Sequence, residues 1–180
     1  YPSRAACLSC HTGAAGRTLG WEVGQLNSAF VYPETGRLAD QLFTLSEIGV
    51  FENPPADVAA ADVYPALDLA TVDVARRAET YLHVNCSMCH RPNGGGQSRA
   101  DFRLGTAAAE QHVCDETPGE GDFGVAGAKL IFPGDPSKSL VSLRMHKLGA
   151  GRMPLLGSNV VDALGTDVVD RYITGLTSCP

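Results

Sequence analysis

Residues 85–96 read NCSMCHRPNGGG, and within them Cys86-Ser87-Met88-Cys89-His90 sets two thiols and an imidazole in the order Cys-x-x-Cys-His. Two cysteines three positions apart on one turn can each reach one vinyl group of the same porphyrin. The histidine that follows then lies beneath the iron, so the spacing is that of covalent c-type haem attachment. A second copy, Cys7-Leu8-Ser9-Cys10-His11, stands near the start of the chain. The two copies share little beyond the signature, and a true internal repeat is not implied. Rival uses fit less well. Zinc ribbons place their pairs roughly 15 to 20 residues apart, whereas Cys10 and Cys86 are 76 positions apart. A thioredoxin-like site expects a βαβ context that neither pair has. For the first copy the alternative is a structural Cys7–Cys10 pair.

Of six cysteines in 180 residues, the motifs use four and leave Cys114 and Cys179. An even remainder predicts a Cys114–Cys179 disulfide and with it an oxidising compartment; two free buried thiols are the alternative. On the loop-closure model such a link contributes roughly 4 kcal/mol. A hydrophobic content of 44% is enough for a core, and no apolar run is long enough to cross a bilayer. The net charge of −6 argues against nucleic acid and anionic membrane as partners and for a basic or neutral docking face. The chain begins at Tyr1 without an initiator Met, and is expected to be a monomeric module of something longer.

Composition shifts near FENPPADVAAADVYPALD, residues 51–68, which reads as a connector. It divides the chain into residues 1–70, an N-terminal haem-binding segment, and residues 71–180. In the first part Leu38, Leu42 and Leu45 fall at i, i+4 and i+7 with Gly49 as a stop, predicting one helix. After the connector, Thr71 as N-cap and Ala75, Ala78 and Leu82 on one face predict a helix running into Cys86. Three consecutive glycines, Gly94–Gly96, allow close backbone approach to a flat ligand. Asp135 and Pro136 open a further helix that Gly149 ends. The last helix, capped by Thr166, carries Val169, Tyr172, Ile173 and Leu176 as its apolar stripe.

Helix, Cys-x-x-Cys-His, glycine loop, middle helix, Met-Pro loop and closing helix together resemble a class I cytochrome c over Val72–Pro180. The resemblance rests on YLHVNCSMCHRPNG, GRMPLLG and DVVDRYITGL. It implies an all-α fold, in which a class I cytochrome c-like C-terminal module follows a small, mostly helical or irregular N-terminal segment. It also implies His90 as proximal and Met153 as distal iron ligand, with the first and last helices crossing near Leu82 and Tyr172. Chemistry agrees, because a thioether is a soft ligand that favours ferrous iron and Pro154 stiffens the loop presenting it. Met145, inside a predicted helix, is the alternative ligand; as core filler it needs no such role. CLSCH, LGWEVGQLN and DQLFTL ahead of that module resemble a di-haem family of secreted bacterial proteins, whose modules can be fused to sugar-oxidising or carbohydrate-active domains. That likeness implies two covalently attached haem c groups and electron transfer between periplasmic or extracellular redox partners, fused or separate.

Residues 1–87 hold no methionine or lysine and only His11 and His83 as histidines, so the first haem, on Cys7, Cys10 and His11, cannot copy a His/Met pair from its own segment. His83, on the helical face of Arg76 and Thr80, is a candidate sixth ligand; a solvated surface histidine is the alternative. Met145, His146 or His112 are further options. So is an open position, which would make the protein a di-haem peroxidase, although no acid/base arrangement is recognisable around Glu22, Glu34 and Glu47. A mono-haem cytochrome with a structural N-terminal extension is the third reading. The expectation is an electron carrier rather than an enzyme, with no catalytic residues. Arg144 and Arg152 flank Met153 and are placed to pair with propionates. Trp21 either covers the first haem or packs in a local core. Asp115, Glu116, Glu120 and Asp122 form an acidic loop that is either a calcium site or simply solvated.

Overall fold

The computed structural model describes residues 2–180. Its elements are α1 (Arg4–Leu8), α2 (Val23–Leu26), β1 (Ala29–Tyr32), β2 (Arg37–Asp40), α3 (Gln41–Glu47), α4 (Val74–Cys86), α5 (Leu140–Met145) and α6 (Ala163–Gly175), with short 3-10 turns at Ala108–Glu110 and Pro136–Lys138. Long-range packing divides the chain into two compact units. One joins the residues up to Leu19 to Ala66–Pro180; the other is Gly20–Pro65. Both cysteine motifs therefore lie in the same unit.

The larger unit is built on α4 and α6. Ala78 and Leu82 of α4 meet Val168, Val169 and Ile173 of α6 in a core completed by Ala100, Val113 and Ile131, with Tyr172 and Leu176 half-buried against it. The apolar stripe read from the sequence is this face. Gly165 lets the helices approach, since a methyl group there would overlap the Tyr81 ring. The caps differ from expectation. Asp73, not Thr71, starts α4 by accepting from the Ala75 amide at 2.8 Å. Asp162 starts α6 by accepting from the Gly165 amide at 2.9 Å, which leaves Thr166 buried inside the helix. In both cases a carboxylate close by offers the orphan amides a charged acceptor. Asp135 does cap the Pro136 turn, but buried Ser139 then interrupts it by bonding Asp135 O and the Phe132 amide, and α5 ends well before Gly149. Cys114 and Cys179 are disulfide-bonded, Cα–Cα 5.6 Å, fastening the last residues of the chain to the loop between α4 and α5.

The smaller unit corrects the all-α expectation, for it contains a two-stranded antiparallel hairpin. Leu38 lies in β2 opposite Val31, and helix α3 begins only after Asp40, whose carboxylate accepts from the Phe43 amide at 2.7 Å. The Pro33–Gly36 turn, with Gly36 at φ 65°, reverses the chain ahead of the leucines, so their helical spacing spans two elements. Gly49 ends α3 as expected, at φ 73°. Buried Asn27 donates to the carbonyls of Val58, Ala61 and Asp62, which ties down the Ala/Asp-rich stretch read as a connector. Tyr64 closes the unit by packing on Gly24, where no Cβ would fit, and donating to Glu22 at 2.7 Å. Trp21 is 78% exposed, so it belongs to no local core.

Candidate functional site

Helix α4 delivers Cys86 at its last turn. The amides of Cys89 and His90 both donate to Cys86 O, at 3.1 and 2.9 Å, and fold the motif into a tight turn. The amide of Gly96 returns to Cys89 O at 2.9 Å, and any Cβ at Gly96 would come within 2.7 Å of His90 Nδ1. The glycine loop thus lies against the histidine because it lacks side chains. His90 Nδ1 is 3.2 Å from Ser98 Oγ, and Phe102 stands edge-on to the ring at 5.5 Å between centroids. Burial, aided by the positive charge of Arg144, lowers the His90 pKa and so favours the neutral imidazole, the form that binds metals. Burial pushes the Cys86 thiol up to about 12, with Cys89 adding to it.

The first motif repeats this local geometry on much poorer support. Helix α1, capped by Ser3, carries Cys7, and the amides of Cys10 and His11 both donate to Cys7 O, at 3.2 and 3.0 Å. His11 Nδ1 donates to Arg17 O at 2.6 Å. A carbonyl can only accept, so the neutral ring carries its proton on Nδ1 and presents the Nε2 lone pair. A turn with Gly16 at φ 74° and Arg17 at φ 64° aims that carbonyl. Cys7 and His11 are exposed.

The structure also brings the two motifs together. The Ser9 carbonyl occupies the space a Cβ of Gly95 would need, Arg91 Nη1 donates to Ala14 O at 3.2 Å, and the Cys10 thiol lies close enough to act on that of Cys89. Cys89 is raised to about 12 by burial first and by Cys10 second, against the pull of Arg91.

The Met-Pro loop hangs on α5. The Met153 amide donates to Arg144 O at 3.0 Å, and the Arg144 guanidinium, lying over Phe123, donates to Gly151 O and Glu120 O. Arg152 is engaged with Ser158 through both its carbonyl and its hydroxyl. Met145 packs against the core cluster. His83 is 9% exposed rather than solvated, and its Nδ1 accepts from the Leu104 amide at 3.2 Å. Its neutral ring therefore carries the proton on Nε2, the reverse of His11. His112 Nε2 accepts from Arg99, and His146 pairs with Asp170 at 2.8 Å. Asp115 pairs with Lys129 and Asp122 accepts from the Gly124 amide; among the described residues no cluster of three or more His, Cys, Asp or Glu is arranged to hold a metal ion.

The donor set of both motifs fits haem. Each offers two thiols on one turn and an imidazole whose Nδ1 has a local oxygen partner, the outer-shell contact that orients a metal-binding histidine. Neither Arg17 nor Ser98 was legible as such a partner, the first because it acts through its backbone and the second because nothing in the sequence ties a serine eight residues on to His90. No family model, curated protein or solved structure matches the chain.

Proposed function

We propose that the protein is a di-haem c-type cytochrome that carries single electrons between redox partners in the periplasm or outside the cell. The observation that carries this reading is the pairing of Nδ1 with an oxygen at both motif histidines, which leaves Nε2 for iron at each. Cys86, Cys89 and His90 would hold one haem in a class I cytochrome c-like module made of α4, the glycine loop, α5, the Met153 loop and α6. Cys7, Cys10 and His11 would hold the other. The bound haem supplies one-electron iron chemistry. The chain supplies ligation and burial. Met153 as sixth ligand would favour the ferrous state and hold the second centre at the higher potential. For His83 to ligate the first iron through Nε2, its proton would have to leave or move to Nδ1, and the latter breaks the Leu104 bond.

The Cys114–Cys179 disulfide supports an oxidising compartment. No helix among the described residues is long and apolar enough to cross a membrane.

Intact mass of the denatured holoprotein tests the proposal, because thioether-linked haem survives denaturation. The expected result is the polypeptide plus two haem masses. One haem mass, on the Cys86 motif, would reduce the protein to a mono-haem cytochrome with a structural extension, and none would overturn the reading.

A further inference from the structure

The contact between the two motifs has a chemistry of its own while no haem is attached. In the haem-free chain four thiols are unpaired, and of these Cys10 and Cys89 are neighbours across a separation of 79 positions in sequence, in the seam where Ser9 meets Gly95. Their approach is built into the backbone. Gly95 admits the Ser9 carbonyl where a side chain would collide, Gly96 bonds back to Cys89, and Arg91 reaches from the second motif to Ala14 O just beyond the first. Their in-motif partners differ in setting. Cys86 lies at the end of α4, packed against the core, and Cys7 is exposed on α1. The disulfide already present between Cys114 and Cys179 points to a compartment that oxidises thiols.

We propose that Cys10 and Cys89 form a disulfide between the motifs in the haem-free chain, by exchange with a disulfide-bearing oxidant. One cysteine attacks a sulfur of the oxidant and releases its first thiol. The second cysteine then displaces the oxidant's remaining sulfur, so that Cys10-SH, Cys89-SH and RSSR become Cys10-S-S-Cys89 and two RSH. The two cysteines lose two electrons, which the oxidant gains. If the motifs attach haem, as proposed above, this one bond removes a thiol from each of them, and both sites must wait for its reduction.

The test uses the full chain, secreted without haem-attachment machinery, with free thiols alkylated before non-reducing proteolysis and mass spectrometry. The expected product is a cross-linked peptide pair joining residues around Cys10 to those around Cys89, beside the Cys114–Cys179 link. Cys10→Ser and Cys89→Ser each abolish the cross-motif pair, Cys7→Ser and Cys86→Ser retain it, and Gly95→Ala diminishes it. Disulfides confined to Cys7–Cys10 and Cys86–Cys89, or four alkylated thiols, would overturn the proposal. Because the experiment contains no haem, its failure is distinct from a failure of the di-haem reading, which the mass of the holoprotein decides.

Discussion

Asp101 shows how much one buried carboxylate can hold in place. Its side chain, 5% exposed, accepts from the Arg103 amide at 3.0 Å, from Arg103 Nε and Nη2, and from Thr106 Oγ1, just after the loop that folds over His90. The Arg103 hydrogen bonds, working against burial, hold the carboxyl below its usual range. A depressed folded pKa contributes stability above the unfolded value of about 3.9, and that contribution fades as pH falls through the folded value. Asp101→Asn should therefore cost about 1.5 to 3 kcal/mol at pH 7, the scale of a hydrogen bond to a charged group. Arg103 is 43% exposed, which favours the lower end. Denaturant titrations of both proteins at pH 7 and near pH 3 check this, and the gap between them should narrow in acid. A gap that stays constant with pH would mean that the charge of Asp101 contributes nothing. Nothing in the sequence points to this residue's role, because its partners depend on the turn between residues 101 and 106.

At the scale of elements, α1 is a five-residue helix with no buried residue of its own. It is too short to persist alone, and its position depends on the Ser9 carbonyl seated at Gly95 and on Arg91 bonding Ala14 O. Gly95→Ala should unseat it while leaving the α4–α6 core intact. Hydrogen–deuterium exchange should then speed up at the amides of Cys7, Cys10 and His11 and stay unchanged at those of α6; equal protection in both proteins would show that the glycine is dispensable. The sequence made the three glycines legible as a place of close approach, but for a flat ligand, not for a neighbouring peptide. Helix faces were legible for a simpler reason. Ala78, Leu82, Val169 and Ile173 repeat with the helical period and pack as that period requires. Starts were not, since Thr71 and Asp73, or Asp162 and Thr166, are all acceptable caps, and only the path of the preceding chain selects between them.

Across the whole molecule, what pattern cannot show is which distant segments pack together. A composition break near residue 70 suggests a division there, yet the residues up to Leu19 share a compact unit with Ala66–Pro180. Cysteine arithmetic is the exception, because pairing by elimination needs no knowledge of the path between Cys114 and Cys179. That link closes a loop over a sequence separation of 65 and anchors the segment after α6, where Leu176 is half-buried against the core. By the loop-closure model its removal should cost about 4 kcal/mol, with the usual range for native disulfides about 2 to 5. Cys114→Ser/Cys179→Ser should accordingly lower the urea midpoint of the protein and raise the m-value, since an unlinked denatured chain exposes more surface. The double variant isolates this bond from the four motif cysteines, which reduction with a thiol would also affect. A midpoint within error of the parent would show that the core of α4 and α6 holds the C-terminus without its covalent anchor. A fall in midpoint with no change in m would instead place the effect in the folded state, in the packing of Leu176 and the residues that follow it.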